Sequence, residues 1–323
     1  MAYAALRRTK RVTDIQLVGK EVQIRRVDWV DGPHKKAYDA LFFTARAIFQ
    51  ASLDPDGSGN EIPPKQLFEL LFRVRQACCH MILVPPERIQ RAEFAFMSLM
   101  AENRQLSFQE AQTMTDMLLG KQANEIVAAK SFSAPVAPSP KIVALFAALE
   151  EMKTDEKGII FSQWPSFLNL IEQEAESRGY KMVRIDGSKS TQERIEAMQQ
   201  FKDSSEVRLI LCSLKAAGTG IDLTPGNVVF LTDVWWNEAA EHQAMDRCHR
   251  VGQKRDVRCV RFVMKDSIEE RMVCFQQSKA ALGKGSLERL SPDEERRAKI
   301  GSLRDLFQLA EGDKIDDFVD WDY

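Results

Sequence analysis

Arg247 and Arg250 are the residues whose type and spacing most directly suggest chemistry. They lie three positions apart in "DRCHRVGQKRDV" (Asp246–Val257), so they share a face if the segment is helical. A guanidinium group stays charged and binds phosphate through two parallel hydrogen bonds. The pair is therefore a candidate phosphate site. Taken alone, the pattern is better explained by a solvated face that pairs with Glu238 or Glu241.

A second candidate is the small-residue stretch "SLKAAGTGID" (Ser213–Asp222). Its two glycines would let the backbone approach a phosphate closely. The stretch is not a Walker A loop, because no G-x-x-x-x-G-K-[S/T] pattern occurs anywhere in the chain. A tight turn explains it equally well. Trp235–Trp236 is typical of a core, but an exposed ring there could stack on a nucleotide.

The composition excludes several classes of protein. Lys and Arg total 45 against 47 Asp and Glu, so the net charge of -2 indicates no overall basic surface. No apolar run is long enough to span a bilayer. The six cysteines form no C-x-x-C pair and the four histidines are dispersed, so we predict no metal site. Buried, reduced thiols indicate an intracellular protein.

The elements that must position these residues alternate regularly from residue 141 to residue 278. Short apolar strands ("KGIIFS", "KMVRI", "VRLILC", "NVVFLTD", "VRCVRFVM") alternate with amphipathic helices, among them "NEAAEHQAMDRCHR". This pattern predicts an α/β fold with a doubly wound parallel sheet covered on both faces. Before it, "EVQIRRVDWV" alternates like a strand, helical patterns dominate residues 33–130, and "SFSAPVAPSP" reads as a linker.

Ligands of open parallel sheets bind beyond the carboxyl ends of the strands. Polar and small residues follow the predicted strands at Ser162–Trp164, Asp186–Ser188 and Ser213–Asp222. Arg247, Arg250 and Gln253 follow the next helix. We therefore expect all of these residues to gather at one edge of the sheet.

Taken together, the stretches resemble the second RecA-like lobe of Snf2-family ATPases, the DNA translocases of helicase superfamily 2. "GIIFSQW" resembles motif IV, "LILCSLKAAGTGIDLTPGNVVFLTDVWWN" resembles motif V, and "AAEHQAMDRCHRVGQKRDV" resembles motif VI. The Q-x-x-x-R-x-x-R-x-G-Q spacing is carried by Gln243, Arg247, Arg250 and Gln253. The resemblance covers residues 141–278. One departure is "AAGTGIDL", where the family usually has "AGG.GLNL".

The flanking segments indicate the Rad5/Rad16/HLTF-like branch. "LRRTK" (Leu6–Lys10) resembles the exit from the first lobe, and "LLFRVRQACCH" (Leu70–His80) resembles the helix that enters the second. Members of this branch often carry a RING zinc domain here. This chain has no cysteine between His80 and Cys212, so we expect no RING in this segment. Residues 85–130 resemble a helical insertion that could contact protein partners.

The resemblance implies five parts of the chain. These are an interlobe linker and first strand (1–32), a helical Snf2-specific region with an insertion (33–130), a linker (131–140), the RecA-like helicase C-terminal lobe (141–278), and a C-terminal brace helix with an acidic tail (279–323).

The resemblance also assigns roles around ATP, which would lie between two lobes. The first lobe would supply the phosphate loop and the carboxylates that hold Mg²⁺. Arg247 and Arg250 would be catalytic arginine fingers that face the β- and γ-phosphates. Gln243 would help to hold the nucleotide, and Gly220 and Asp222 would border the same cleft.

For double-stranded DNA, the resemblance implies contacts to the duplex backbone and, through Trp236, to its minor-groove side. The implied residues are Ser162, Arg184, Ser188, Ser213, Lys215, Trp236, Lys254 and Arg255. The implied function is a DNA-dependent ATPase and translocase of the chromatin-remodelling or DNA repair type, acting in the nucleus. The chain has neither a Walker A pattern nor D-E-x-H, so we expect a longer protein whose first lobe is this chain's partner. The isolated chain should not hydrolyse ATP.

Three alternatives remain at this point. A non-enzymatic docking module derived from a helicase lobe would keep the motifs as a scaffold. An RNA helicase lobe of the same superfamily would prefer RNA to duplex DNA, although the "HRVGQK" form favours the Snf2 family. A small-molecule α/β enzyme is supported by the fold alone.

Overall fold

Six parallel strands form one sheet in a computed structural model of the chain, in the order β1-β6-β5-β2-β4-β3. The structure describes residues 17–53, 62–102, 106–119, 136–218, 220–282 and 306–307. The strands are β1 (Lys20–Val27), β2 (Gly158–Ser162), β3 (Lys181–Ile185), β4 (Val207–Ser213), β5 (Val228–Leu231) and β6 (Val257–Met264). The predicted α/β class with a doubly wound parallel sheet is confirmed.

Helices precede, cover and connect the strands. In the described residues they are α1 (Pro33–Leu53), α2 (Pro64–Cys79), a 3₁₀ turn (Met81–Leu83), α3 (Pro86–Glu102), α4 (Phe108–Leu119), α5 (Pro140–Glu150), α6 (Pro165–Ser177), α7 (Thr191–Asp203), α8 (Leu214–Ala217), α9 (Glu238–Met245) and α10 (Ile268–Leu282). The ends follow ordinary helix chemistry. For example, Ser139 caps α5, which begins at Pro140, and Ser190 and Glu193 form a reciprocal capping box on α7.

Alternate residues of the central strands enter two different cores, because successive side chains of a strand point to opposite faces. Ile160 of β2 packs into the core that includes α1, α2, α5 and α6. Ile159 and Phe161 pack on the opposite face, with residues of α7, α8 and α9. The helical region before residue 120 therefore shares one continuous core with the sheet.

The outermost strand of the sheet on one side is β1, which comes from the start of the described chain. It pairs in parallel with β6, in register from Lys20 with Val257 to Val27 with Met264. The segment that resembles the exit from the first lobe (6–10), the linker residues 131–135 and most of the C-terminal tail (279–323) lie outside the described residues.

Candidate functional site

All six strands run in the same direction, so their amino ends lie along one edge of the sheet (the amino edge) and their carboxyl ends along the opposite edge (the carboxyl edge). The segment 246–256 precedes β6 and therefore lies at the amino edge. His249 Nε2 lies 2.8 Å from the carbonyl oxygen of Val18, just before β1. The backbone N–H of Gly19 donates to Asp256 Oδ1 at 2.8 Å. The expectation that Arg247, Arg250 and Gln253 join Ser162 and Asp186 at one edge is wrong, because helix α9 returns the chain to the opposite edge.

The helix that was predicted to continue through Arg250 ends at Met245, five residues earlier. Helical hydrogen bonds persist as far as the N–H of His249, which donates to Met245 O at 2.9 Å. The chain then turns at Gly252, whose φ of 103° lies in the left-handed region that favours glycine. The two arginines therefore lie in the turn between α9 and β6, and not on one face of a regular helix.

Gln253 fixes the backbone of this turn. Its Nε2 donates to Gly226 O at 2.8 Å and to Thr224 O at 3.2 Å. Its Oε1 accepts from the N–H groups of Lys254 at 2.9 Å and Arg255 at 3.0 Å. One amide side chain thus joins the loop before β5 to the turn before β6. The sequence showed Gln253 only as part of a spacing, with no signal for this role.

A second bond joins the same two segments, since Leu223 N–H donates to Arg247 O at 3.1 Å. Gly220, with φ of 77°, and Asp222 are exposed on the loop, and the carboxylate of Asp222 accepts from Thr224 N–H at 3.1 Å. The loop 220–227 of the motif V segment and the turn of the motif VI segment therefore form one unit at the amino edge.

The side chains that this unit presents are accessible. Arg250 and Gln243 are exposed, and Arg247 is half-buried. Glu238 faces His242 at 3.4 Å, and Glu241 faces Arg261 at 2.7 Å. Pairing with Glu238 or Glu241 therefore does not account for Arg250.

Lys254 and Arg255 lie in the same turn, at the amino edge. Lys254 is exposed. Arg255 Nη1 lies 3.2 Å from the carboxylate of Asp155, in the loop before β2. These two candidate DNA contacts are thus at the opposite edge from the others.

At the carboxyl edge, two serine hydroxyls that were predicted to contact DNA form hydrogen bonds inside the protein instead. Ser162 is fully buried, its hydroxyl donates to the Asp233 carboxylate, and its oxygen accepts from Trp164 N–H at 3.0 Å. Ser213 is buried and caps α8 by accepting from Ala216 N–H at 3.3 Å. Neither side chain faces outward toward a duplex, because each satisfies a buried polar group.

Arg184 and Ser188 both meet Asp186 at the end of β3. Arg184 Nε donates to Asp186 at 2.6 Å and its Nη1 to Glu172 at 2.7 Å, while the Ser188 hydroxyl donates to Asp186 at 2.6 Å. Burial opposes ionisation of Asp186, but the hydrogen bonds from Ser188 and the charge of Arg184 outweigh it and lower its pKa. Arg184 therefore holds a loop, while Ser188 remains exposed.

Lys215 and Trp236 complete the carboxyl edge. Lys215 is exposed on α8. Trp236 is half-buried between Phe275 and Phe68, with ring centroids 5.8 and 6.1 Å away. Arg75 was missed by sequence reasoning. It is buried and donates to Val234 O at 2.7 Å, and no spacing could connect residues so distant in the chain.

The donors at the amino edge fit a polyphosphate, because the exposed guanidinium group of Arg250 and the half-buried one of Arg247 project from a backbone held by Gln253. Within the described ranges, no group of three or more His, Cys, Asp or Glu side chains could hold a metal ion. The same ranges contain no helix that is long and apolar enough to cross a membrane.

Comparisons with known proteins show what this part of the chain is similar to. Residues 140–252 match the helicase conserved C-terminal domain. DNA repair protein RAD5B of Arabidopsis thaliana is 41% identical over 173 residues, and the helicase-like transcription factor of Mus musculus is 39% identical over 178. Residues 140–252 are therefore similar to a helicase C-terminal lobe, and the chain is similar to RAD5-type proteins and helicase-like transcription factors. The match covers 53% of this chain but only 13% and 18% of those two relatives.

Solved structures agree on the fold of the lobe. The C-terminal part of the Fun30 ATPase domain has a TM-score of 0.62 at 23% identity and covers 91% of this chain and 100% of that one. The Sulfolobus solfataricus SWI2/SNF2 ATPase core in complex with dsDNA has a TM-score of 0.55 at 20% identity and covers 90% of this chain and 51% of that one. The resemblance inferred from the motifs is confirmed.

Proposed function

We propose that this lobe is the C-terminal half of a DNA-dependent ATPase that translocates on double-stranded DNA in the nucleus, in chromatin remodelling or DNA repair. The observation that carries the proposal is the unit at the amino edge. There the Gln253 side chain and the carbonyl oxygen of Arg247 hold the loop before β5 against the turn before β6, and the Arg250 side chain is exposed. This unit includes the end of the segment that matches the helicase domain.

ATP would bind between this edge and a first lobe supplied by the same protein. That lobe would hold Mg²⁺ and the phosphates, since this chain has no Walker A pattern. Arg250 and Arg247 would act as arginine fingers, which contribute on the order of a thousandfold in rate in related enzymes. Gln243, Gly220 and Asp222 would border the nucleotide.

Double-stranded DNA would bind at the carboxyl edge. Lys215 and Ser188 are its exposed polar residues among those predicted, and Trp236 would lie beside them. Ser162, Ser213 and Arg184 would act indirectly, by holding the loops that carry them. We assign Lys254 and Arg255 to the nucleotide side. Phosphate contacts make such binding independent of sequence and sensitive to salt.

The test is ATP hydrolysis by this chain alone and by its full-length protein, each with no nucleic acid, with duplex DNA and with single-stranded RNA. We expect a silent isolated chain and a full-length enzyme stimulated by duplex DNA. Stimulation by RNA alone would indicate an RNA helicase. A full-length protein that is silent under all conditions would indicate a docking module.

A further inference from the structure

A buried carboxylate lies on α9, the helix that leads to Arg247 and Arg250. Glu241 is 1% exposed, and its Oε2 lies 2.7 Å from Nη2 of Arg261 on β6, which is 4% exposed. Charged side chains are almost never this buried unless paired. Such a pair is often no more stabilising than apolar residues of the same volume, because both charges lose their hydration. Its presence therefore calls for a reason other than stability.

The pair belongs to a closed ring of polar contacts. Trp235 N–H donates to Glu241 Oε1 at 2.6 Å. Gln276 of α10 donates from Nε2 to Trp235 O at 2.6 Å. Arg261 Nη2 donates to Gln276 Oε1 at 2.9 Å. This Glu241 ring, made by the Trp235 backbone with Glu241, Arg261 and Gln276, holds both backbone polar groups of Trp235.

The ring joins the loop after β5 to the first turn of α9, and α9 leads on to the amino edge. Trp235 follows β5 at the carboxyl edge and is next to Trp236. Glu241 lies in the first turn of α9, which has eight residues and therefore spans about 12 Å. The far end of α9 continues directly into the turn that carries Arg247 and Arg250.

The segment before Trp235 is also fixed to the carboxyl edge. Val234 O accepts from Arg75 at 2.7 Å, and Asp233 accepts from the Ser162 hydroxyl. The carboxyl-edge loop is thus held on one side by Ser162 and Arg75, and on the other side by the ring. A displacement of this loop must move α9 or break buried hydrogen bonds, which is costly.

We infer that Glu241, Arg261 and Gln276 are positioning residues that join the Trp235–Trp236 segment to α9, so that a duplex bound at the carboxyl edge sets the position of Arg247 and Arg250. This inference rests on the proposed function and specifies the part of the lobe that connects DNA binding to hydrolysis. Directional polar contacts suit this role, because they allow one geometry, whereas an apolar contact could slide.

The test uses the full-length protein and two variants of the ring. Gln276→Leu removes the bonds to Trp235 O and Arg261 without removing a charge. Glu241→Gln keeps an acceptor for Trp235 N–H and removes the charge opposite Arg261. Both should lower duplex-stimulated kcat at least about fivefold, and leave kcat without DNA and the Kd for DNA within about twofold.

The matched control is Glu269→Gln. Glu269 is equally buried, accepts from Met264 N–H at 3.0 Å, and pairs with buried Lys141 at 2.6 Å, so the same substitution destabilises the lobe outside the ring. This variant should keep the ratio of stimulated to basal kcat.

The outcomes separate the ring from the proposed function. A wild-type enzyme without stimulation by DNA would overturn the proposed function, and this inference with it. A stimulated wild type whose ring variants keep the stimulation ratio would overturn this inference alone. Equal loss of the ratio in Glu269→Gln would also overturn it, by showing that general destabilisation is the cause.

Discussion

The two edges of the sheet use their polar residues in opposite ways. At the amino edge, Gln253 and Arg247 O fix the backbone, while the Arg250 side chain is exposed. At the carboxyl edge, the side chains of Ser162 and Arg184 are themselves committed to internal carboxylates. The amino edge therefore leaves a charged side chain exposed, whereas the polar side chains of the carboxyl edge mainly hold the shape of its loops.

The sharpest test of this comparison is Arg250→Ala in the full-length protein. We expect kcat for ATP to fall on the order of a thousandfold, because the guanidinium would stabilise charge in the transition state. The thermal unfolding temperature should not change, because the side chain is exposed. Lys254→Ala is the control, since it removes another exposed cation from the same turn. An equal loss of kcat in that variant would show that the turn contributes only net charge.

A second test uses pH to weaken the end of α2, the helix that carries Arg75. His80 ends α2, its Nδ1 accepts from Ile82 N–H at 3.2 Å, and its Nε2 lies 3.0 Å from Ala137 O. Burial lowers the pKa of His80 from 6.5 to about 4, and His34 adds to this effect. Between these values the unfolded chain binds a proton that the folded chain does not, so stability is lost as pH falls.

The expected loss in the free energy of unfolding is up to roughly 3 kcal/mol between pH 6.5 and 4. Urea unfolding of the chain at several pH values measures it. His80→Gln should flatten this part of the curve relative to the unchanged chain. Equal curves for the unchanged chain and His80→Gln would refute the assignment.

A third test concerns the buried hydroxyl of Ser162, which donates to Asp233. Ser162→Ala should lower the free energy of unfolding by about 1–3 kcal/mol, because the buried Asp233 carboxylate loses a donor. The Kd for duplex DNA should stay the same if the hydroxyl makes no contact with a phosphate. A weaker affinity for DNA at unchanged stability would return Ser162 to the DNA surface.

The smallest expected effect concerns Lys215, the exposed cation of the carboxyl edge. If it contacts one phosphate, Lys215→Ala should reduce the slope of log K against log salt by about one unit. Lys181→Ala is the matched control, because this exposed lysine begins β3 at the amino edge. A similar change in both variants would show that the two edges do not differ in DNA binding.

The strands and the fold class followed from the sequence, because apolar strands between amphipathic helices have few other arrangements. The edge of the sheet at which each site residue lies was harder to predict. Arg247 and Arg250 were expected at the carboxyl edge, but the return path of α9 carries them to the other. The sequence also did not predict the internal hydrogen bonds of Ser162 and Arg184, since only the fold brings Asp233 and Glu172 next to them.

The most direct test of the account is a crossed measurement on Arg250→Ala and Lys215→Ala in the full-length protein, with kcat at saturating duplex DNA and the Kd for DNA determined for each. We predict that Arg250→Ala loses turnover and keeps its affinity for DNA. We predict that Lys215→Ala loses affinity and keeps its turnover at saturation. If Arg250→Ala weakens DNA binding as much as Lys215→Ala does, and retains turnover, the division of labour between the two edges is wrong.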